Sequence, residues 1–165
     1  MKLINGKGQL GAALVQQKLG SDNDDVIIYH TWEVSNKSLE AQKDEYTKFT
    51  EFVDKYKHSL MNIVFISTKS ENDTWYTFYK QKAEGLLLQS GLNVKILRLP
   101  TFVGKPCKLF EPNATAWGNL ELISIDNAAT QIIYHAKQSF DKNRIINING
   151  EIISAQLVVD ILKTK

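Results

Sequence analysis

Cysteine is all but missing from this chain. Cys107 stands alone among 165 residues, which excludes a disulfide framework and a cysteine-rich metal site within one chain and fits a reducing cytoplasm. His30, His58 and His135 lie far apart without ligand-like spacing, so no metal is expected. An excess of one charge is also lacking. Twenty basic residues against 18 acidic ones leave a formal charge of +2, with no basic run and no face crowded with lysine and aromatics, so nucleic acid is not an expected partner. No apolar run approaches the roughly 20 residues that cross a membrane, and the N-terminus runs straight into a strand rather than a cleavable signal. Repeats and low-complexity tracts are absent. These exclusions leave a single domain over residues 1–165, cytoplasmic, with a small molecule as its ligand and length enough to bury a core without staples.

What is present begins with the first eleven residues. Met1-Lys-Leu-Ile-Asn-Gly6-Lys-Gly8-Gln-Leu-Gly11 reads as a short buried strand, a three-glycine turn and the start of a helix through Leu14 to Leu19. Glycine permits a tight bend and close approach of a ligand, and the amides at the following helix N-terminus favour an anion, so the turn suits a phosphate.

Strands and helices then alternate. Val26–Tyr29 is a compact buried strand; a loop at Ser35–Ser38 leads to a long helix with Tyr46, Phe49, Val53 and Tyr56 at helical spacing. Asn62–Thr68 is a strand ending in hydroxyls, followed by a helix capped by Asp73 or Thr74 that runs to Gln89 and stops at Gly91. Asn93–Leu99 is a strand closed by Pro100, and the aperiodic stretch from Thr101 to Gly118, with Pro106 and Pro112, reads as loop. A strand from Leu120 to Ile125, a helix from Asn127 capped by Asp126, a strand from Arg144 and a last helix capped by Ser154 complete the chain. That last helix is expected to turn Leu157, Val158, Ile161 and Leu162 inward. The alternation predicts an α/β fold: a mainly parallel sheet with helices on both faces, whose ligands bind at the carboxyl ends of the strands.

One pair stands out on the helix after Thr68. Tyr76 and Lys80 are four apart and so share a helical face. A nearby ammonium stabilises phenolate and lowers a tyrosine pKa toward the range useful for proton transfer, and a hydroxyl at the adjoining strand end could hold a substrate oxygen.

The glycine turn, the strand ending Phe65-Ile-Ser-Thr68, Tyr76-x-x-x-Lys80 with Ala83-Glu84, and Val94-Lys-Ile-Leu-Arg98-Leu-Pro100 with Val103-x-Lys occur in that order. Together they resemble the extended short-chain dehydrogenase/reductases, the NAD-dependent epimerase/dehydratase group that acts largely on nucleotide sugars. Leu122-Ile-Ser-Ile-Asp126-Asn-Ala-Ala and Ile146-Asn-Ile-Asn-Gly150-Glu-Ile-Ile-Ser154 are similar to later segments of the same family. The resemblance implies a three-layer Rossmann-like fold with NAD or NADP as cofactor. Gly6, Gly8, Gln9, Leu10 and Gly11 would line its pyrophosphate, and Lys80 and Pro100 would lie at its nicotinamide end. It further implies Tyr76 as general acid/base, Lys80 as the tuning group that also binds the nicotinamide ribose, and Thr68, or else Ser67, as the hydroxyl on the substrate oxygen. A homodimer would form through the long helix and the tyrosine helix, with Tyr46, Phe49, Phe52 and Tyr56 on one and Trp75, Phe78 and Tyr79 on the other. These aromatics could equally just cover the sheet.

The chain departs from the family pattern in one respect. Asp25-Val-Ile-Ile-Tyr-His-Thr-Trp32 follows the first helix directly and resembles the family's fourth strand, so the second and third strands, and with them the residue that reads the adenosine ribose, are expected to be absent. The substrate-binding part is reduced to a remnant in the C-terminal third. Two functions remain open: a hydride-transferring oxidoreductase or epimerase, or a non-enzymatic module that binds a nucleotide or sugar phosphate. A flavodoxin-like or receiver-like domain would leave Tyr76-x-x-x-Lys80 unexplained.

Overall fold

The computed structural model describes residues 1–4, 8–17, 25–103, 115–142 and 144–163. Gly6, Cys107, Pro106 and Pro112 lie outside them, as does the end of the first helix expected at Leu19.

Five strands form one parallel sheet in the order β1 (Lys2–Ile4), β2 (Val26–Tyr29), β3 (Asn62–Thr68), β4 (Asn93–Leu99), β7 (Arg144–Asn147). Register is fixed by side-chain alternation, because a slip of one residue would exchange the two faces. Val26, Ile28, Val64, Ile66, Leu97 and Leu99 point to one core with Leu10 and Leu14 of α1 (Gly8–Gln16) and Ala128, Ile132 and Ala136 of α4 (Ile125–Lys137). Ile27, Tyr29, Ile63, Phe65, Val94 and Ile96 point to the other, beneath α2 (Leu39–Tyr56) and α3 (Trp75–Gln89). The expected three-layer α/β Rossmann-like arrangement is therefore the observed one.

A second sheet departs from the sequence reading. β5 (Thr101–Val103), β6 (Asn119–Ser124) and β8 (Glu151–Ser154) form it, with β5 parallel and β8 antiparallel to β6. The stretch after Pro100 thus opens with a strand rather than loop. The segment before the last helix is also a strand, its ladder running from Asn119↔Ser154 to Leu122↔Glu151. Gly150 makes the junction possible, since a Cβ there would overlap the Leu122 carbonyl.

Helix ends obey local chemistry. Ser38 caps α2 and Thr74 caps α3, each side chain accepting from the amide three residues on. The cap of α4 is Ser124 and not Asp126: its hydroxyl accepts from Asn127 N at 3.2 Å, and Asp126 sits in the first turn, where a carboxylate still favours the helix dipole. At the other end of α4, Lys95 of β4 donates to the carbonyls of His135 and Gln138 at 2.7 and 2.8 Å, so a buried lysine supplies the donors that a helix C-terminus lacks. In α5 (Ala155–Lys163) the expected inward face is corrected. Ala155 and Val159 are buried, whereas Leu157 and Ile161 are exposed; the Leu162 side chain lies outside the described ones.

Among the described residues no helix is long and apolar enough to cross a membrane, and no group of three or more His, Cys, Asp or Glu is placed to hold a metal.

Candidate active site at the carboxyl end of the central strands

Because β1, β2 and β3 run parallel, with Ile4 beside Tyr29 and Tyr29 beside Phe65, their carboxyl ends share one edge of the sheet. β1 ends there at Ile4, four residues before α1 begins at Gly8, and Thr68 ends β3 there, two strands away. Gly8 opens α1 at φ +84°, a left-handed conformation that L side chains rarely adopt, and nothing lies within 4 Å of where its Cβ would be. Gly8 and Gln9 are exposed at the helix N-terminus; Leu10 and Gly11 are buried against the sheet, so their part in any ligand contact would come from the backbone.

The chain between Thr68 and Tyr76 is short, yet the two meet. The Thr68 hydroxyl lies near enough to the Tyr76 phenol to draw its pKa down, and it accepts from Ser70 N at 3.0 Å. Ser67, the alternative hydroxyl, points with Phe65 to the α3 face but is taken up two helical turns beyond Tyr76, where it donates to Glu84 Oε1 at 2.5 Å. Thr68 is therefore the hydroxyl that the structure brings to Tyr76.

Lys80 is close but differently engaged from the sequence expectation. Its side chain is 3% exposed, and Nζ donates to the Ile66 carbonyl at 2.6 Å. Nζ lies 5.9 Å from the Tyr76 ring centroid, 4.6 Å from that of Trp32 and 4.7 Å from that of Phe65. Burial pulls its pKa down to about 7, against the favourable charges of Glu84 and Glu45. The phenol moves in the opposite direction to the one expected of a tuned general base. Burial pushes Tyr76 up to about 12, outweighing the Thr68 hydroxyl that draws it down. Pro100, expected at the nicotinamide end, is buried at the end of β4 beside the position a Gly150 Cβ would take.

Two residues that the sequence reading passed over belong to this site. Trp32 follows β2 between the two ligand-facing strand ends, and its indole N–H donates to Gln42 Oε1 at 2.8 Å. The available signal was an aromatic residue immediately after a strand adjoining the glycine-turn strand. A separate cleft of about 490 Å³ lies in the C-terminal third, with Asn127, Gln131, Asn149 and Glu151 over a floor that includes Leu122 and Ile153.

The fold and this edge define an α/β protein built like the sugar-nucleotide epimerases. No family model matches the sequence, and no curated protein sequence matches it. Solved structures do. The chain is similar to UDP-N-acetylglucosamine 4-epimerase from Bacillus cereus, with TM-score 0.79 and 18% identity over 99% of this chain and 80% of that one. It is similar to WbmF from Bordetella bronchiseptica, determined in complex with NAD+, with TM-score 0.77 and 12% identity over 99% and 77%. UDP-glucose 4-epimerase from Thermotoga maritima, determined with UDP-glucose, gives TM-score 0.73 and 14% identity over 99% and 82%. Likeness at these identities establishes the shared fold.

Proposed function

We propose that this chain is an abridged protein of the extended short-chain dehydrogenase/reductase kind that handles a nucleotide sugar, with Tyr76 exchanging a proton with a sugar hydroxyl that Thr68 orients. The observation that carries this reading is the proximity of Thr68, Tyr76 and Lys80 at the strand edge where β1 also ends, four residues before Gly8. The relatives in fold support it by their substrates and by the NAD they hold.

The residues present fit one part of the dinucleotide. Gly8, with open space above it, and the exposed amides at the start of α1 suit a pyrophosphate. Lys80 gives one proton to Ile66 O, which leaves two N–H donors of its ammonium for a ribose diol. A bound nicotinamide would supply the hydride acceptor; the chain's part is to hold the sugar oxygen at Thr68 and move its proton at the Tyr76 phenol. For the adenosine half, among the described residues β1 has a neighbouring strand on one side only, in keeping with loss of the second and third strands. Binding of NAD or NADP is accordingly weak in this reading. The cleft of the C-terminal third, with Asn127, Gln131, Asn149 and Glu151 along it, supports a remnant substrate-binding part there, and Trp75 and Phe78, about half exposed on α3, support a homodimer.

A second reading, a non-enzymatic nucleotide- or sugar-phosphate-binding module, is favoured by one specific observation. Tyr76 sits near 12, so its phenol is not set to take a proton near neutral pH. Isothermal titration with NAD, NADP, their reduced forms, ADP-ribose and UDP-glucose separates the two. Saturable dinucleotide binding that is lost in Gly8→Val, together with turnover lost in Tyr76→Phe, is expected of the enzyme. No dinucleotide binding at millimolar concentration removes the hydride-transfer reading; retained UDP-glucose or ADP-ribose binding then supports the module.

A further inference from the structure

A buried tryptophan brings a large apolar face and one N–H that requires a partner. Trp32 is 8% exposed, and its partner Gln42 is fully buried on α2. The Gln42 oxygen accepts the indole N–H at 2.8 Å, and its Nε2 donates to the carbonyls of Glu33 and Asn36 at 2.9 and 2.6 Å. Both ends of the amide are thus engaged, and the loop from Glu33 to Asn36 is tied to the same group that fixes the indole. The ring cannot turn without breaking a buried hydrogen bond.

What the fixed ring carries is the Lys80 ammonium. One proton of Nζ goes to Ile66 O at 2.6 Å, and the faces of Trp32 and Phe65 meet the group at 4.6 and 4.7 Å. Aromatic faces attract a cation most strongly where water is excluded, and indole is the strongest of them. Both rings belong to the same buried cluster, but Phe65 lies within β3, whereas Trp32 follows the carboxyl end of β2 and has its indole N–H held by Gln42.

We propose that Trp32, held by Gln42, is a positioning residue for the Lys80–Tyr76 pair: its face sets where the Lys80 ammonium sits and favours the protonated form beside Tyr76. The proposal rests on the reading of Tyr76 and Lys80 as the acid/base pair. The other groups that act on Lys80 are Glu84 on its own helix and Glu45 on α2, both favouring the ammonium, and burial, which opposes it. Loss of the indole face would shift this balance at the pH where the pair must work.

The test needs neither substrate nor cofactor. Lys80 is followed by NMR of its side-chain 13Cε and 15Nζ in wild type, Trp32→Leu, Trp32→Phe and Gln42→Met, assigned with Lys80→Arg. In wild type the Hε protons should show the upfield displacement of a group lying over an aromatic ring. In Trp32→Leu that displacement should be lost and the titration midpoint should fall by about one unit. Trp32→Phe should restore more than half of both, and Gln42→Met should give an intermediate fall. A midpoint that stays put, or rises as water enters, means that the ring only covers Lys80 and overturns the proposal. If Trp32→Leu does not fold by circular dichroism, the other two variants decide: no movement in either is equally fatal. The titration with NAD is read separately. A midpoint that tracks the ring in a chain that binds no NAD leaves the positioning intact and removes the catalytic reading, and NAD binding with an unmoved midpoint does the reverse.

Discussion

The carboxylate of Glu84 holds the guanidinium of Arg98 at two points, 2.6 Å from Nη2 to Oε2 and 3.0 Å from Nε to Oε1, and takes the Ser67 hydroxyl on Oε1 as well. Glu84 lies one helical turn beyond Lys80, and Ser67 is the neighbour of Thr68, so the contact bolts α3 to β3 and β4 directly beneath the site. Removing one partner of such a pair leaves the others buried and unmatched. Because the Arg98 side chain is 34% exposed and can reach water, Glu84→Ala should cost about 2 kcal/mol rather than the larger penalty of a fully enclosed pair. Replacing both partners, as in Glu84→Leu with Arg98→Met, should recover most of it. Urea denaturation measures both; a double variant no more stable than the single one would deny that the pair is the cause.

Lys80 gives the stability of the chain a pH dependence of known sign. Its folded pKa of about 7 lies below the ordinary lysine value, so between those two pH values the unfolded chain binds a proton that the folded chain does not. Stability therefore rises with pH from about 7 to about 10, and below 7 the full cost of charging a buried amine is present. Lys80→Met should remove that cost. The variant should exceed wild type most at pH 6, by up to roughly 4 kcal/mol, and the gap should close toward pH 10. Denaturation midpoints at several pH values check this, and a gap that does not narrow with pH would contradict the linkage.

The parts of the fold that were legible in the sequence are those whose side chains have only one place to go. Val26–Tyr29, Asn62–Thr68 and Asn93–Leu99 are covered on both faces, so their runs of β-branched and aliphatic residues marked the strands to the residue. β8 was hidden because Ile152 and Glu151 both face solvent and no alternation appears. The inward face of α5 was misjudged because its anchors are the small residues Ala155 and Val159, against which a hydrophobicity pattern weighs Leu157 and Ile161 too heavily. At the site, Tyr76 and Lys80 were visible as a spacing on one helix, and Thr68 as a strand end. Trp32 and Gln42 come from two other elements, and nothing local marks their contact. The pKa directions were illegible for a related reason: charge proximity can be guessed from spacing, but burial, which decides both Tyr76 and Lys80, is a property of the packed whole.

Gly150 is the tightest point of the second sheet. A Cβ there would overlap the Leu122 carbonyl oxygen and come within 2.8 Å of its carbon and 3.1 Å of Pro100 Cγ. Its amide also donates to Glu121 Oε1 at 2.8 Å, and Glu121 in turn pairs with Lys69, the residue after Thr68. Gly150→Ala must therefore push β6 away from the end of β7, at a cost of about 2–3 kcal/mol. The loss should be local. Hydrogen exchange should accelerate in β6 and β8 while Val64 and Ile96 keep their protection, and uniform acceleration would refute the assignment of strain to this junction.

Trp75 and Phe78 pack edge to face at 5.9 Å on α3 while each stays about half exposed, whereas Phe49, Phe52 and Tyr79 are buried beneath the helices. The aromatics of the two helices thus divide: most cover the sheet, and these two remain available to a second copy. Trp75→Glu with Phe78→Glu should convert a dimer to a monomer by light scattering, with a thermal midpoint changed by no more than a few degrees because little core is disturbed. A wild-type chain already monomeric at high micromolar concentration would sink the dimer.

The contact of Thr68 with Tyr76 predicts a pH profile. The Thr68 hydroxyl favours phenolate and burial opposes it, leaving Tyr76 near 12. Thr68→Val should drive the phenol higher still, and Thr68→Ser should preserve it, as read by 13Cζ NMR of tyrosine-labelled chain. If Tyr76 takes the proton from a sugar hydroxyl, its active form is scarce at neutral pH, and turnover should climb nearly tenfold per pH unit between 7 and 9. Tyr76→Phe should abolish it. The slope discriminates because Lys80, with a pKa of about 7, would as the base give a rise that levels off above that pH. A profile flat from 7 to 9 would therefore assign the proton to Lys80 or to another group, and leave Tyr76 as a hydrogen-bonding wall of the site.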